Sequence, residues 1–248
     1  MLMDKFQVQD ALYNMPYHYF PTVDGDAVRL HQALPWGLEY LTYMVHVVEL
    51  IRMSRPGSLL DVGCGDGRLE HMLRGVVPIM KGIDLSERAI AFARAFNPDI
   101  EFEPIDISAI KDKYAAITLI EVLEHVPDSD LTRLVQNVAP CLEQEGFLLV
   151  TVPTTNLPLN RKHYRHYTLE LLTDTLAPTF RIERHWWVYQ LGFKTRILSR
   201  LLLNRWFVLN HRGLSRLIWK VHRRYSFFAQ PTNGAHLIAL AHKNTAHA

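Results

Sequence analysis

Apolar residues recur at every third or fourth position from Trp36 to Met53, where Leu38, Leu41, Val45, Val48 and Ile51 fall near helical spacing. This spacing predicts an amphipathic helix, and Pro56-Gly57 marks its end. Beyond that point the periodicity changes. Short apolar runs predict strands at 58–62, 79–83, 100–103, 115–120, 146–152 and 180–188. Helical patterns at 67–74, 86–96, 129–142 and 168–176 lie between them. Ser86 occupies an N-cap position, with Glu87 in the first turn. HLIALA, residues 236–241, suits a final strand. Strand and helix alternate as they do in a doubly wound α/β sheet. Two stretches break the alternation. Residues 1–34 form an aromatic, irregular arm, and about 45 residues separate the last two strands.

The first strand ends in an acid and runs into a glycine turn, LLDVGCGDG, residues 59–67. Glycines at 63, 65 and 67 let the backbone bend sharply and let a ligand lie against it. The following helix then faces that ligand with unpaired N–H groups. The spacing is G-x-G-x-G after Asp61, whereas the dinucleotide fingerprint is G-x-G-x-x-G. KGIDL places Asp84 at the end of the second strand, suited to ribose hydroxyls, and EPIDIS places Asp106 after the third.

With these three elements the chain resembles the class I S-adenosylmethionine-dependent methyltransferases over about residues 55–185. The resemblance implies a Rossmann-like, seven-stranded sheet whose last strand runs antiparallel beside the sixth. It implies S-adenosylmethionine as cofactor. Asp61, Gly63, Gly65 and Gly67 would pass its methionine part. Asp84 with Leu85 would hold the ribose, Asp106 with Ile107 the adenine, and Glu121 would line the pocket. The expected organisation is an arm and helix over 1–54, then a methyltransferase domain over 55–248 with a helical insertion at 190–233.

Strand four leads into EVLEHVPD, which gathers Glu121, Glu124 and His125 where open α/β sheets place their ligands. The segment after strand five, VPTTNLPLNRKHYRHYTLELL, brings His163 and His166 to the same rim. Three readings follow. The carboxylates and imidazoles bind a divalent cation such as magnesium. Or His125 or His166, with Glu124, handles a proton near neutral pH. Or the histidines only pack. The E-x-x-E-H-V-P-D pattern resembles the ubiquinone-pathway O-methyltransferases. It also resembles small-RNA 3′-terminal 2′-O-methyltransferases, which implies Glu121, Glu124, His125 and His166 as metal ligands, with His163 as the other candidate. The acidic and aromatic surroundings of the RNA enzymes' histidine are absent here. The P-Y-H-Y arm and V-P-T-T-N loop resemble methyltransferases of bacterial surface-glycan clusters. A hydroxyl of a saccharide or lipid-linked small molecule is thus the expected acceptor, with an RNA 2′-hydroxyl or a non-catalytic cofactor-binding scaffold as alternatives. In the arm, Tyr17, His18 and Tyr19 are placed to close over the cofactor or touch substrate.

Composition bounds the setting. Hydrophobic content of 48% and charged content of 21% suit a soluble globular protein. The start of the chain carries early charges, no run of about 18 apolar residues occurs, and the two cysteines form no metal-binding spacing. A cytoplasmic protein is expected. The net charge of +2 hides an asymmetry: 11 of the 27 Lys and Arg, and none of the 25 Asp and Glu, lie from Arg184 onward. Leu214, Leu217, Ile218 and Val221 read as one apolar helical face, with Arg216, Lys220, Arg223 and Arg224 away from it. A second stripe runs through Phe193, Ile197, Leu198, Leu201 and Leu202. Such helices cap a pocket and show charge to water, meet an anionic membrane, or bind a polyanion such as nucleic acid.

Overall fold

Successive residues of the central strands face opposite layers, and each layer is covered by its own helices. This arrangement is seen in a computed structural model of the chain. It describes Lys5, Asp10 and residues 17–19, 21–29, 36–177, 179–202 and 211–244. In the arm, β1 (Thr22–Asp24) and β2 (Ala27–Arg29) pair antiparallel across Gly25, where the sequence suggested irregular chain. Helix α1 (Gly37–Ser54) ends at Arg55 in a left-handed conformation, and Pro56 follows it.

The main sheet holds β3 (Ser58–Val62), β4 (Ile79–Ile83), β5 (Glu101–Glu103), β6 (Tyr114–Ile120), β7 (Leu142–Pro153), β8 (Phe180–Gln190) and β9 (Gly234–Lys243). Their order is β5-β4-β3-β6-β7-β9-β8. β9 runs antiparallel to both its neighbours, and the other pairs are parallel. Between the strands lie α2 (Arg68–Leu73), α3 (Glu87–Phe96), α4 (Asp128–Val138) and α5 (Leu169–Leu176). The insertion supplies α6 (Phe193–Leu202) and α7 (Arg212–Tyr225).

One core joins Leu59, Ala116, Leu149 and Ile238 of the sheet to α1, α2 and the insertion. A second joins Leu60, Ile117, Val150 and Leu237 to α4 and α5, and a third, smaller one sets Ile90 and Ala93 of α3 against Phe102 of β5. Strand order reverses between β3 and β6, so their carboxyl ends diverge and leave a crevice. Open α/β sheets bind ligands at this point.

The basic helix sits differently from its sequence reading. α7 buries Ser215, Ile218, Trp219 and His222, whereas Leu214 and Leu217 are exposed. The cause is the seat of its polar residues on α1. His222 Nε2 lies 2.8 Å from Thr42 Oγ1. Thr42 spends its own hydrogen on the Leu38 carbonyl, so the imidazole must donate. That bond turns the helix away from the face the sequence suggested.

Candidate active site

At the end of β3 the chain turns through Gly63, Gly65 and Gly67, with φ of 78°, 55° and 76°. These are left-handed values that side chains disfavour. A Cβ on Gly63 would lie 2.5 Å from Val122 Cγ2, and one on Gly67 would meet Asn97, Ala93 and Phe102. The loop is fastened to β4, because Gly63 and Cys64 N–H both donate to the Ile83 carbonyl at 2.7 and 3.0 Å. Gly65 N–H donates to Asp84 Oδ2 at 3.0 Å, and Ser86 N–H donates to Oδ1 at 2.8 Å. Asp61 is buried and accepts the Thr118 hydroxyl at 2.6 Å. Burial pushes its carboxyl up to about 7; the Thr118 bond opposes this, and the nearby Asp84 adds to it. Leu85 is 60% exposed on this wall, and Asp106 holds Ser108 N–H at 2.9 Å with its carboxyl in water.

The arm closes on this loop. His18 donates its backbone N–H to Asp66 and brings Nδ1 within 3.0 Å of the same carboxylate. Tyr19 donates its hydroxyl to the Gly67 carbonyl at 3.1 Å, and its ring stacks on Phe96. Tyr17 shares this turn, but its side chain lies outside the described residues.

Across the crevice stands the Glu/His cluster. Glu124 is buried, and its Oε2 has no hydrogen-bond partner among the described residues. Loss of water, reinforced by the charge of Glu121, holds this carboxyl well above the usual range. The histidine tautomers follow from their partners, since a backbone carbonyl only accepts. His166 Nδ1 lies 3.1 Å from the Leu157 carbonyl and therefore bears hydrogen. Its Nε2 then accepts from His163 Nδ1 at 2.8 Å, which leaves His163 Nε2 bare. Likewise His125 donates Nδ1–H to the Lys162 carbonyl at 3.2 Å and leaves Nε2 bare, 3.8 Å from Glu124 Oε1. Burial drives His163 down to about 3 and His125 to about 4, with the charge of Lys162 adding to both. Both imidazoles are neutral at physiological pH.

Glu121 faces another way. Its backbone is left-handed, with φ of 56°, and Thr151 fixes it from both sides: Glu121 N–H donates to Thr151 oxygens, and the Thr151 hydroxyl donates to Glu121 Oε1 at 2.8 Å. Glu121 Oε2 lies 3.1 Å from His236 Nδ1, an ion contact whose N–H does not aim squarely at the oxygen. His236 Nε2 reaches Glu39 Oε1 at 2.8 Å. Burial disfavours the charged ring, yet the two carboxylates outweigh it and push His236 up to about 10. The same imidazolium overcomes burial at Glu121 and holds that carboxyl below its usual range.

One cavity of about 840 Å³ is lined by the glycine loop, Asp84, Asp106, Glu121, the Glu124–His125–His163 cluster and His236. On its α1 side stand Trp36, Tyr40, Tyr43 and Met44. A family model described as a methyltransferase domain matches residues 41–198, well over half of the chain.

The chain belongs to this methyltransferase family.

The ubiquinone biosynthesis O-methyltransferase of Albidiferax ferrireducens is 29% identical over 120 residues, 45% of each chain. That of Coxiella burnetii is 30% identical over 140 residues, 53% of this chain and 56% of the relative. These matches thus span about half the length of the curated relatives. Among solved structures, the N-methyltransferase NodS from Bradyrhizobium japonicum, in complex with S-adenosylhomocysteine, superposes with a TM-score of 0.64 at 14% identity, covering 98% of this chain and 100% of that one. Magnesium protoporphyrin IX methyltransferase from Synechocystis, with bound S-adenosylmethionine, gives 0.61 at 15% identity and 99% of both chains. These likenesses establish the class I methyltransferase fold.

Within the methyltransferase domain, the expected cofactor residues Asp61, Gly63, Gly65, Asp84, Leu85, Asp106, Ile107 and Glu121 all line one cavity. Gly67 instead caps α2, its carbonyl held by Tyr19 and Asn97. The four expected metal ligands separate. Glu124, His125 and His163 converge, Glu121 is paired with His236, and His166 supports His163 from behind. Sequence reasoning missed His236 and Glu39. The only trace was a polar residue heading an otherwise apolar strand, and the antiparallel pairing of β9 with β7 sets it beside Pro153 at the cavity.

Proposed function

We propose that this methyltransferase moves the methyl group of S-adenosylmethionine to a hydroxyl of a saccharide or lipid-linked small molecule. The observation that carries this reading is a single cavity running from Asp84 and the glycine loop to two neutral histidines with bare Nε2 atoms. Its volume of about 840 Å³ suits a nucleoside cofactor and an acceptor together, and aromatic rings of α1 offer flat apolar surface to the latter.

In this reaction the acceptor oxygen attacks the methyl carbon in line with the carbon–sulfur bond. That bond's electron pair returns to sulfur, and the hydroxyl proton leaves to a base. His163 Nε2 takes the proton as the oxygen bonds to the methyl carbon, when the oxonium that forms is far more acidic than an imidazolium held at about 3 by burial. Its own Nδ1 hydrogen points at His166 Nε2, so the new charge spreads onto the second ring, which the Leu157 carbonyl anchors. His166 is therefore a positioning residue. An amine acceptor would need less of this machinery, which favours oxygen.

A second reading is favoured by the way Glu124, His125 and His163 each offer one ligand atom, all within 4.8 Å of one another. Both imidazoles are oriented through their other nitrogen, as metal-ligating histidines are, and Glu124 Oε2 lacks a partner. These three residues would hold a divalent cation, with two nitrogen donors favouring zinc, manganese or iron over magnesium. Such an ion supplies acidity to a hydroxyl near it.

The test is incubation with methyl-labelled S-adenosylmethionine and separated lipid, glycan, RNA and protein fractions. Label in lipid or glycan supports the proposal; label confined to RNA or protein, or absent throughout, overturns it. His163→Ala should lower turnover by about 10²–10⁴ and His166→Ala by about 10–100, with cofactor affinity retained. Loss of turnover on chelation, restored by zinc or manganese, would select the second reading.

A further inference from the structure

Helices α6 and α7 carry their apolar rows on the wrong side for a core. On α6, Phe193, Ile197 and Leu201 follow one another at four-residue spacing and are 75%, 41% and 47% exposed. Thr195 and Leu202 are the residues this helix buries. Lys194, Arg196 and Arg200 flank the exposed row, and all three are themselves exposed. On α7, Leu214, Leu217 and Tyr225 are 42%, 55% and 59% exposed, in a line that also includes the half-buried Val221. Lys220 and Arg224 border that line.

The two helices are tied to each other and to the body of the protein. Lys194 Nζ lies 5.7 Å from the centroid of the Tyr225 ring, joining the start of α6 to the end of α7. Arg223 pairs with Glu49 of α1 at 2.7 Å, and Arg216 pairs with Asp26 beside the β1–β2 turn. Those two arginines therefore fasten α7 down, while Lys220 and Arg224 show no acidic partner among the described residues. No Asp or Glu occurs from Arg184 to the end of the chain.

We propose that the outer faces of α6 and α7 form a docking surface for an anionic lipid bilayer, the aliphatic rows entering the headgroup boundary while the flanking lysines and arginines meet lipid phosphates. Three physical points select this occupant. Exposed Ile, Leu and Phe side chains gain free energy on entering hydrocarbon, whereas the phosphates of a nucleic acid offer them nothing. A second copy docked through the same face would set Lys194, Arg196, Arg200, Lys220 and Arg224 against their own counterparts, which is repulsive. Among the described residues no helix is long and apolar enough to cross a membrane. Contact through this surface is therefore interfacial, and reversible with salt. This inference does not depend on the proposed chemistry.

The experiment is co-sedimentation of the full chain with vesicles of phosphatidylcholine alone, or of phosphatidylcholine mixed equally with phosphatidylglycerol, at low and high salt. Binding is expected to the anionic vesicles only, and to fall as salt is raised. Each basic residue near the bilayer contributes about fivefold to partitioning, so Lys220→Gln with Arg224→Gln should weaken it about 25-fold. Ile197→Ser with Leu217→Ser should weaken it by roughly tenfold or more. All four side chains are exposed, so the variants should melt like the wild type, as circular dichroism will show. Equal binding to both vesicles, no binding to either, or retention unchanged in the serine variant would overturn the proposal. So would a dimer, or an RNA complex, that forms in preference to vesicle binding and is lost in the same variants.

Discussion

Replacing His236 by asparagine removes the imidazolium that stands between Glu39 and Glu121. The ring is 5% exposed, with Glu39 at 2.8 Å on one nitrogen and Glu121 at 3.1 Å on the other. Breaking a buried ion pair by deleting one partner costs about 3–5 kcal/mol, because the remaining charge stays desolvated. The pH dependence gives a sharper magnitude. His236 is pushed from its ordinary 6.5 up to about 10 in the folded protein. Its stabilisation is thus fully present below pH 6.5 and is lost as pH rises through about 10. In that window the folded state holds one proton more than the unfolded chain, and stability falls by about 1.4 kcal/mol per pH unit. Other groups titrate in the same range, so the informative quantity is the difference between wild type and His236→Asn. Urea unfolding at intervals from pH 6 to 10 should show a gap of several kcal/mol at pH 6 that narrows steadily toward pH 10. A gap that is small at pH 6, or constant across the range, would refute the ion-paired imidazolium.

Gly63→Ala should be destabilised by roughly 2–5 kcal/mol, from a left-handed alanine and its contact with Val122, and should lose cofactor binding, as denaturant melts and calorimetry will show. Asp84→Ala strips the acceptor from Gly65 and Ser86 N–H groups and should weaken S-adenosylhomocysteine binding at least tenfold by the same calorimetry. Glu124→Gln imitates the protonated acid. Because the folded-state pKa of Glu124 is raised, the wild type loses stability from this group as pH climbs above the ordinary 4.5. The variant should therefore gain on the wild type as pH rises above 4.5 in thermal melts, while methyl transfer falls. Equal pH profiles for the two proteins would show that Glu124 is ionised.

Much of the sheet was legible because burial imposes strict patterns. Residues 58–62 and 79–83 match β3 and β4 to the residue, since each is a short apolar run closed by glycine or acid. β7 begins earlier than its apolar run because Leu142 already pairs with Tyr114, and the polar residues 143–145 fall in the irregularity before Phe147 pairs with Ala116. The turn after β3 was equally plain, for Gly63, Gly65 and Gly67 take the left-handed backbone their spacing suggested. The cluster opposite was legible in composition but not in roles. His163 and His166 are three residues apart in a loop, and no periodicity states which ring faces the cavity. Only the Leu157 carbonyl, nine residues upstream of His166, fixes that choice. For α7, apolar spacing gave a face, but the buried His222–Thr42 bond set its rotation. His236 escaped notice because its partners come from α1 and from the residue just after β6, far away in sequence.

Titration calorimetry of the purified chain with S-adenosylhomocysteine asks whether the cavity beside the glycine turn holds the cofactor. One molecule should bind per chain, with affinity reduced in Asp84→Ala and preserved in His163→Ala. An absence of heat with the wild type, or undiminished binding by the Asp84 variant, would contradict it.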